Sequence, residues 1–170
     1  SAPVGYWRLN DPTGPIPPAP NNSGTLGVAW NGAYAGDIQP GVAGPVPPTY
    51  PGLEASNRAV AMTNGFTSAP TVTLGNNVTV TCWLKRADDF TTGDLSWPVW
   101  LGDGGMHLNE ATSTTLGELR YHWKGGNWGW SSGLYVPAEV WTFCAMVIEP
   151  TKATFYMSDG TTLRTAVNEA

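Results

Sequence analysis

Apolar and polar residues alternate most cleanly over Val78–Lys85 (VTVTCWLK). Val78, Val80, Cys82 and Leu84 share one face of that run; Thr79, Thr81, Trp83 and Lys85 share the other. A period of two marks a half-buried strand. Shorter runs of the same kind predict strands at Val4–Leu9, Ala59–Met62, Thr71–Leu74, Trp97–Leu101, Gly105–Asn109, Leu116–Trp123, Leu134–Val136, Trp141–Glu149 and Ala153–Ser158. Gly27–Tyr34 reads as a short strand or turn segment, and Asp159-Gly160 as a turn. No segment sustains a helical period, and no internal repeat is visible. Strands this short and closely spaced predict an antiparallel sandwich rather than a parallel α/β sheet.

Two stretches interrupt the alternation. Asn10–Ser23 is rich in Pro and Asn, and Gly36–Gly52 in Pro and Gly, so both are expected as loops. The second is long for a compact domain, and such loops often carry function. Gly (21) and Pro (15) make up about a fifth of the 170 residues. Charged residues are only 12%, about half the usual share. Low charge, dense turns and plentiful Thr, Val and Trp are the composition of secreted β-proteins. The length predicts one domain spanning residues 1–170, with a core of its own.

The net charge of −5 comes with no basic cluster longer than Lys85–Arg86, which argues against nucleic acid as a partner. No apolar run is long enough to span a membrane. The chain opens SAPVG, as a mature N-terminus left after export would. Cys82 and Cys144 each fall inside a predicted strand. A disulfide between them suits an exported protein, and two buried thiols acting as small hydrophobes suit the pattern equally. With only two cysteines and the scattered His107 and His122, there is no zinc spacing. Asn21-Asn22-Ser23 and Asn77-Val78-Thr79 fit the N-glycosylation sequon.

Five segments in order resemble bacterial laminin G-like domains of the concanavalin A-like lectin and glucanase superfamily. They are Tyr6-Trp7-Arg8-Leu9; Asn22-Ser23-Gly24 with Asn31-Gly32-Ala33-Tyr34; Val78–Lys85; Tyr121-His122-Trp123 with Trp130-Ser131-Ser132-Gly133-Leu134; and Trp141–Glu149 followed by Pro150-Thr151-Lys152 and Ala153–Tyr156. The resemblance implies an antiparallel jelly-roll β-sandwich, concanavalin A-like, in an extracellular or cell-surface setting. It implies binding rather than catalysis. It also implies closing strands that do not appear after Val167-Asn168-Glu169-Ala170; they are expected first in the remainder of a longer chain of which this is a fragment, and otherwise in a second chain or a cleaved C-terminal remainder. Many superfamily members hold a structural Ca²⁺ through Asp, Asn and backbone oxygens; here Asp11, Asn21, Asn22 and Asp37 are the loop donors that would do so.

Nine tryptophans are the strongest chemical lead. The apolar face of a pyranose stacks on exposed aromatic rings. Trp97, Trp100, Trp123, Trp128 and Trp130 are candidates, with Trp128 and Trp130 sharing a face around Gly129 if that segment is a strand. Trp7, Trp83, Trp123, Trp130 and Trp141 coincide with positions patterned in the resembled family, which points to the core for most of them; Trp128 does not, which favours its exposure. Asn127, Asp103, His122 and Lys124 would supply hydrogen bonds to hydroxyls. Carboxylate-pair chemistry finds no support: the E-x-D-x-x-E strand of sandwich glycosidases is absent, and Glu110, Glu118, Glu139 and Glu149 are isolated. Tyr121-His122 is only a fragment of a lyase-like constellation. No nucleophile elbow, phosphate loop or metalloprotease motif is present. The expectation is a non-catalytic, exported binding module for a polysaccharide or glycan. The rival expectation is a structural or adhesive subunit working through protein–protein contacts.

Overall fold

The computed structural model describes residues 2–14, 19–73, 75–88, 96–102, 104–109, 117–123 and 130–169. Contacts within the chain divide it into two compact units, Ser1–Thr71 and Val72–Ala170. Among the described residues there is no α-helix, and no helix long and apolar enough to cross a membrane.

The first unit is built on one antiparallel hairpin, β1 (Ala33–Ala43) with β2 (Arg58–Ser68). β1 runs through much of the stretch expected as a loop from Gly36. The register shifts at Asp37/Ile38 and at Pro40/Val42 explain how. Gly36 and Gly41 take positive φ (76° and 78°), and Pro40, which has no N–H to give a ladder, sits at the second shift. Bulges of this kind break the period-two pattern, so the strand is not legible as an alternation. The other expectations for this unit fare differently. The Val4–Leu9 strand reduces to a single bridge, Trp7 with Asn22, and Leu9 ends the segment in the left-handed region (φ 52°). Val28–Trp30 forms a 3₁₀ turn ahead of β1. Ala59–Met62 is found inside β2, which extends six residues further than expected, to Ser68. Thr71, Val72 and Thr73 are not strand, and Leu74 lies outside the described residues.

The second unit holds two antiparallel sheets. β3 (Val78–Leu84), β7 (Thr142–Glu149), β8 (Lys152–Ser158) and β9 (Leu163–Glu169) form one, in the order β3-β7-β8-β9. β4 (Ser96–Trp100), β5 (Gly104–Leu108) and β6 (Leu119–Trp123) form the other, in that order. Their facing sides share one apolar core: Met106, Leu108, Leu119 and Tyr121 from the small sheet meet Cys144, Met146, Ile148, Phe155 and Met157 from the large one. Val78, Val80, Cys82 and Leu84, the inward face read from the sequence, pack against that core. Burying a side chain of this size contributes about 1.5–3 kcal/mol, so the core is the main source of stability here. β7 is central, which accounts for its near-continuous apolar run from Phe143 to Ile148.

Most expected strands of this unit recur within one or two residues. The Leu116–Trp123 strand begins at Leu119, and Leu134–Val136 is a single bridge, Tyr135 with Glu118, flanked by backbone bonds to Leu119 and Gly117. β9 was not expected at all. It follows a turn in which the Asp159 carboxylate accepts bonds from the Thr161 hydroxyl and the Thr162 and Thr161 amides, which hold its pKa at about 2. Cys82 and Cys144 face each other directly across β3 and β7, as the disulfide expectation requires, but both are thiols in the structure. Burial pushes Cys82 up to about 12; burial and the neighbouring Cys82 push Cys144 higher still.

Candidate functional site

The outward side of the small sheet carries the candidate site. Along β5, Met106 and Leu108 point to the core, so Gly105 and His107 point outward; along β6, Leu119 and Tyr121 point in, so Arg120 and His122 point out. Gly105 pairs with Trp100 on one side and His122 on the other, and His107 pairs with Arg120. A side chain on Gly105 would collide with the Val99 carbonyl, so strands β4 and β5 approach this closely only because the residue is glycine. The missing side chain also leaves Trp100 and His122 facing each other, ring centroids 6.0 Å apart.

β4 adds the aromatic surface by means of a bulge. Ser96 pairs with Leu108 and Val99 with Met106, so three steps on β4 match two on β5. The extra residue lets Trp97 and Trp100 present their rings to each other, although residues three apart on a regular strand face opposite ways. Their centroids lie 4.6 Å apart in an edge-to-face arrangement, and Trp97 lies 4.6 Å from the His107 ring. Trp100 is 48% exposed, whereas His107 and His122 are buried. His107 Nδ1 is 2.7 Å from the Asn109 carbonyl. A carbonyl only accepts, so Nδ1 carries the proton, and in the neutral ring Nε2 is the acceptor. The result is an exposed indole beside a second indole, backed by two imidazoles held by the sheet.

The edge of this surface is fixed by charge. Glu118 is buried; its Oε1 accepts from Ser131 Oγ (2.5 Å) and the Gly133 amide (2.9 Å), its Oε2 from Arg120 Nε (2.8 Å). Burial alone would raise the carboxyl's pKa; the bonds from Ser131, Gly133 and Arg120 outweigh it and hold the group below the usual range. Ser132 Oγ donates to the Leu119 carbonyl and accepts from the Leu134 amide. Together these bonds lash the chain from Ser131 to Leu134 onto β6.

Of the aromatic residues expected to bind sugar, Trp97, Trp100 and His122 are brought together, and His107 joins them. Trp130 is not among them: it stacks on Phe155 (6.1 Å, 13°) and packs beside Tyr121, so it belongs to the core. Trp123 also packs against the core. Trp128, Asn127, Asp103 and Lys124 lie outside the described residues. His107 was missed as a site residue because it sits between Met106 and Leu108, in a run that reads as core on both sides; the period-two rule alone would have turned it outward.

Three of the four donors expected to hold calcium, Asp11, Asn21 and Asn22, are engaged in other bonds. Asn22 is buried; its Oδ1 accepts from the Tyr6 and Gly24 amides and its Nδ2 donates to the Gly27 carbonyl. Asn21 Oδ1 accepts from Asn31, Asp11 accepts from the Tyr34 hydroxyl at 2.5 Å, and Asp37 lies on β1 opposite Asn64. Burial, reinforced by the bond to Asp11 and its charge, drives the Tyr34 hydroxyl far above its ordinary pKa. A cation taking Asn22 Oδ1 would displace two backbone donors. Among the described residues, no three of His, Cys, Asp and Glu stand close enough to share a metal. No family model, curated protein or solved structure matches the chain, so the laminin G-like resemblance rests on its sequence motifs alone.

Proposed function

We propose that this chain is an extracellular, non-catalytic binding module that recognises a polysaccharide or glycan on the outward side of β4-β5-β6. The observation that carries the reading is the Trp97–Trp100 pair over His107 and His122. An exposed indole offers the flat apolar surface that a pyranose ring stacks on, and the buried imidazoles behind the two indoles hold that surface in place. The non-catalytic part of the reading is supported by how the carboxylates are used. Glu118 is bound to Arg120, Glu139 to Lys85 and Glu149 to Lys152, so none of the three is poised with a second carboxylate. The two sheets sharing a core suit a concanavalin A-like jelly roll, and we adopt that topology as part of the proposal.

The test is affinity electrophoresis against neutral glucans, xylans and mannans and against anionic polyuronates. Retardation by at least one polymer is expected, and Trp100→Ala should lose it by tenfold or more in affinity, with an unchanged circular dichroism spectrum. Retardation that survives Trp100→Ala unaltered would remove this face as the site. A second reading, a subunit of an extracellular assembly, is favoured by a different observation. The outward side of the large sheet exposes Trp83, Tyr156, Leu163 and Val167.

A further inference from the structure

We propose that Cys82 and Cys144 form a cross-strand disulfide that closes only while the chain folds: an oxidant met then clips β3 to β7, and a chain folded without one keeps both thiols. The two residues are direct partners in an antiparallel ladder that runs from Val78–Ile148 to Leu84–Thr142 without a register shift. Directly opposed residues of such a pair have Cα atoms about 4.5 or 5.5 Å apart, according to their place in the ladder. Both spacings lie within the roughly 4.4–6.8 Å that a disulfide spans. Both side chains are on the inward face, Cys82 with Val80 and Leu84, Cys144 with Met146 and Ile148. To bond, the Cβ atoms must approach by less than about 1 Å. β3 is the strand that can give: β7 is paired on both sides, whereas β3 ends the order β3-β7-β8-β9. The sequence has only these two cysteines, so no other intramolecular pairing competes.

The same packing sets when the bond forms. The structure holds both residues as thiols. In exchange with oxidised glutathione, one cysteine thiolate attacks the glutathione disulfide and expels a glutathione thiolate. The second cysteine thiolate then attacks the sulfur of the first and expels the other glutathione. Two protein thiols are oxidised, one glutathione disulfide is reduced to two thiols, and the two protein protons pass to glutathione. The intermediate carries a tripeptide on a cysteine sulfur, and the closed core has no space for it at Cys144, which is fully buried. Cys82 is partly buried, and its burial leaves about a thousandfold less thiolate, the attacking species, than an ordinary cysteine has. In the unfolded chain both thiols are open and titrate in the ordinary range. Oxidation therefore precedes closure of the core. A bond made then is sealed from reductants by the same burial, and it joins residues about 60 positions apart, which restricts the unfolded chain.

The inference stands apart from the glycan reading: it reports on folding and thiol chemistry, while Trp100→Ala reports on sugar, so either can fail alone. The whole chain, reduced and denatured, is refolded in a mixture of reduced and oxidised glutathione and, in parallel, with an excess of reductant. Intact mass and peptide mapping of the first product should show a monomer lighter by two hydrogens, with Cys82 joined to Cys144. That product should melt at least about 8 °C above the chain refolded with reductant. Cys82→Ala should melt at one temperature in both buffers. Placed in the same glutathione mixture after folding, the reduced wild-type chain should lose its thiols at least about 100-fold more slowly than the denatured chain does. A chain that refolds as a dithiol in oxidised glutathione overturns the inference, as does a disulfide product that melts no higher than the dithiol. A folded chain whose thiols oxidise less than about 100-fold more slowly than those of the denatured chain overturns the timing, and with it the proposal.

Discussion

The two units of this chain are stabilised by different physics. In Val72–Ala170, apolar side chains from two sheets close on one another, and every buried hydrophobic core residue of the described chain belongs to this unit. In Ser1–Thr71, the buried positions are Pro20, Asn22, Pro40, Gly44 and Pro45, while Val28, Phe66, Val4, Tyr6 and Met62 are exposed. That unit is held by side chains bonded to backbone: Asn22 to Tyr6, Gly24 and Gly27, and Asn57 to Pro45. An isolated two-stranded hairpin is marginal in water, so these polar ties matter more than any apolar contact within the unit. A hydrophobic content of 41% averaged over the chain conceals the division. Apolar residues build a core only where period-two strands stack them face to face.

The widest gap between the units should appear on truncating one large aromatic in each. Phe155 is buried against Tyr121 and Trp130, and Phe155→Ala should cost about 4 kcal/mol of unfolding free energy in urea denaturation. Phe66 on β2 is 59% exposed, and Phe66→Ala should stay within about 0.5 kcal/mol. Equal effects would mean that Phe66 is as well packed as Phe155, and the contrast between the units would collapse. Next in size is a buried polar anchor of the core unit, Glu118. Glu118→Gln leaves Arg120 without its carboxylate and should cost about 3 kcal/mol at neutral pH. Because the folded carboxyl titrates below its unfolded value, its stabilisation is present above the ordinary carboxylate range and is lost as pH falls through the depressed pKa. The difference between wild type and Glu118→Gln should therefore shrink when the melts are repeated at pH 3. A gap that stays constant with pH would show that the charge is not what stabilises.

The division also explains what the sequence made legible. Strands of the core unit were readable because Val78–Leu84 carries its burial in its alternation and Thr142–Glu149 carries its own in a near-continuous apolar run. β9 escaped because its outward Leu163 and Val167 and its inward Arg164 and Asn168 give no consistent face; Asn168 turns inward only to bond the Tyr121 hydroxyl. β1 escaped because bulges at Gly36–Val42 cost it the period of two. Of the aromatic leads, Trp97, Trp100 and His122 stand together on one side of the small sheet. What joins them is a bulge in β4 and a glycine in β5, and neither leaves a trace in residue type that distinguishes it from a loop. Trp130 was drawn in by the same aromatic signal and belongs instead to the core, since a tryptophan's identity does not tell a stacking platform from a packed ring.

The smallest effect probes the polar unit on its own terms. Asn22 satisfies three backbone groups at once, the Tyr6 and Gly24 amides and the Gly27 carbonyl. Asn22→Ala removes all three bonds and leaves partly buried groups to find water, which should cost about 2 kcal/mol locally. The loss should not spread to the apolar core, because nothing in that core bonds to Asn22. Hydrogen exchange separates the two outcomes: the Tyr6 and Gly24 amides should exchange about 30-fold faster, the equivalent of that local free energy, while β7 and β8 keep their protection. Faster exchange in both units would show that the polar ties of the first also stabilise the second. Unchanged exchange at Tyr6 and Gly24 would show that the hairpin unit draws its order from something other than its asparagine.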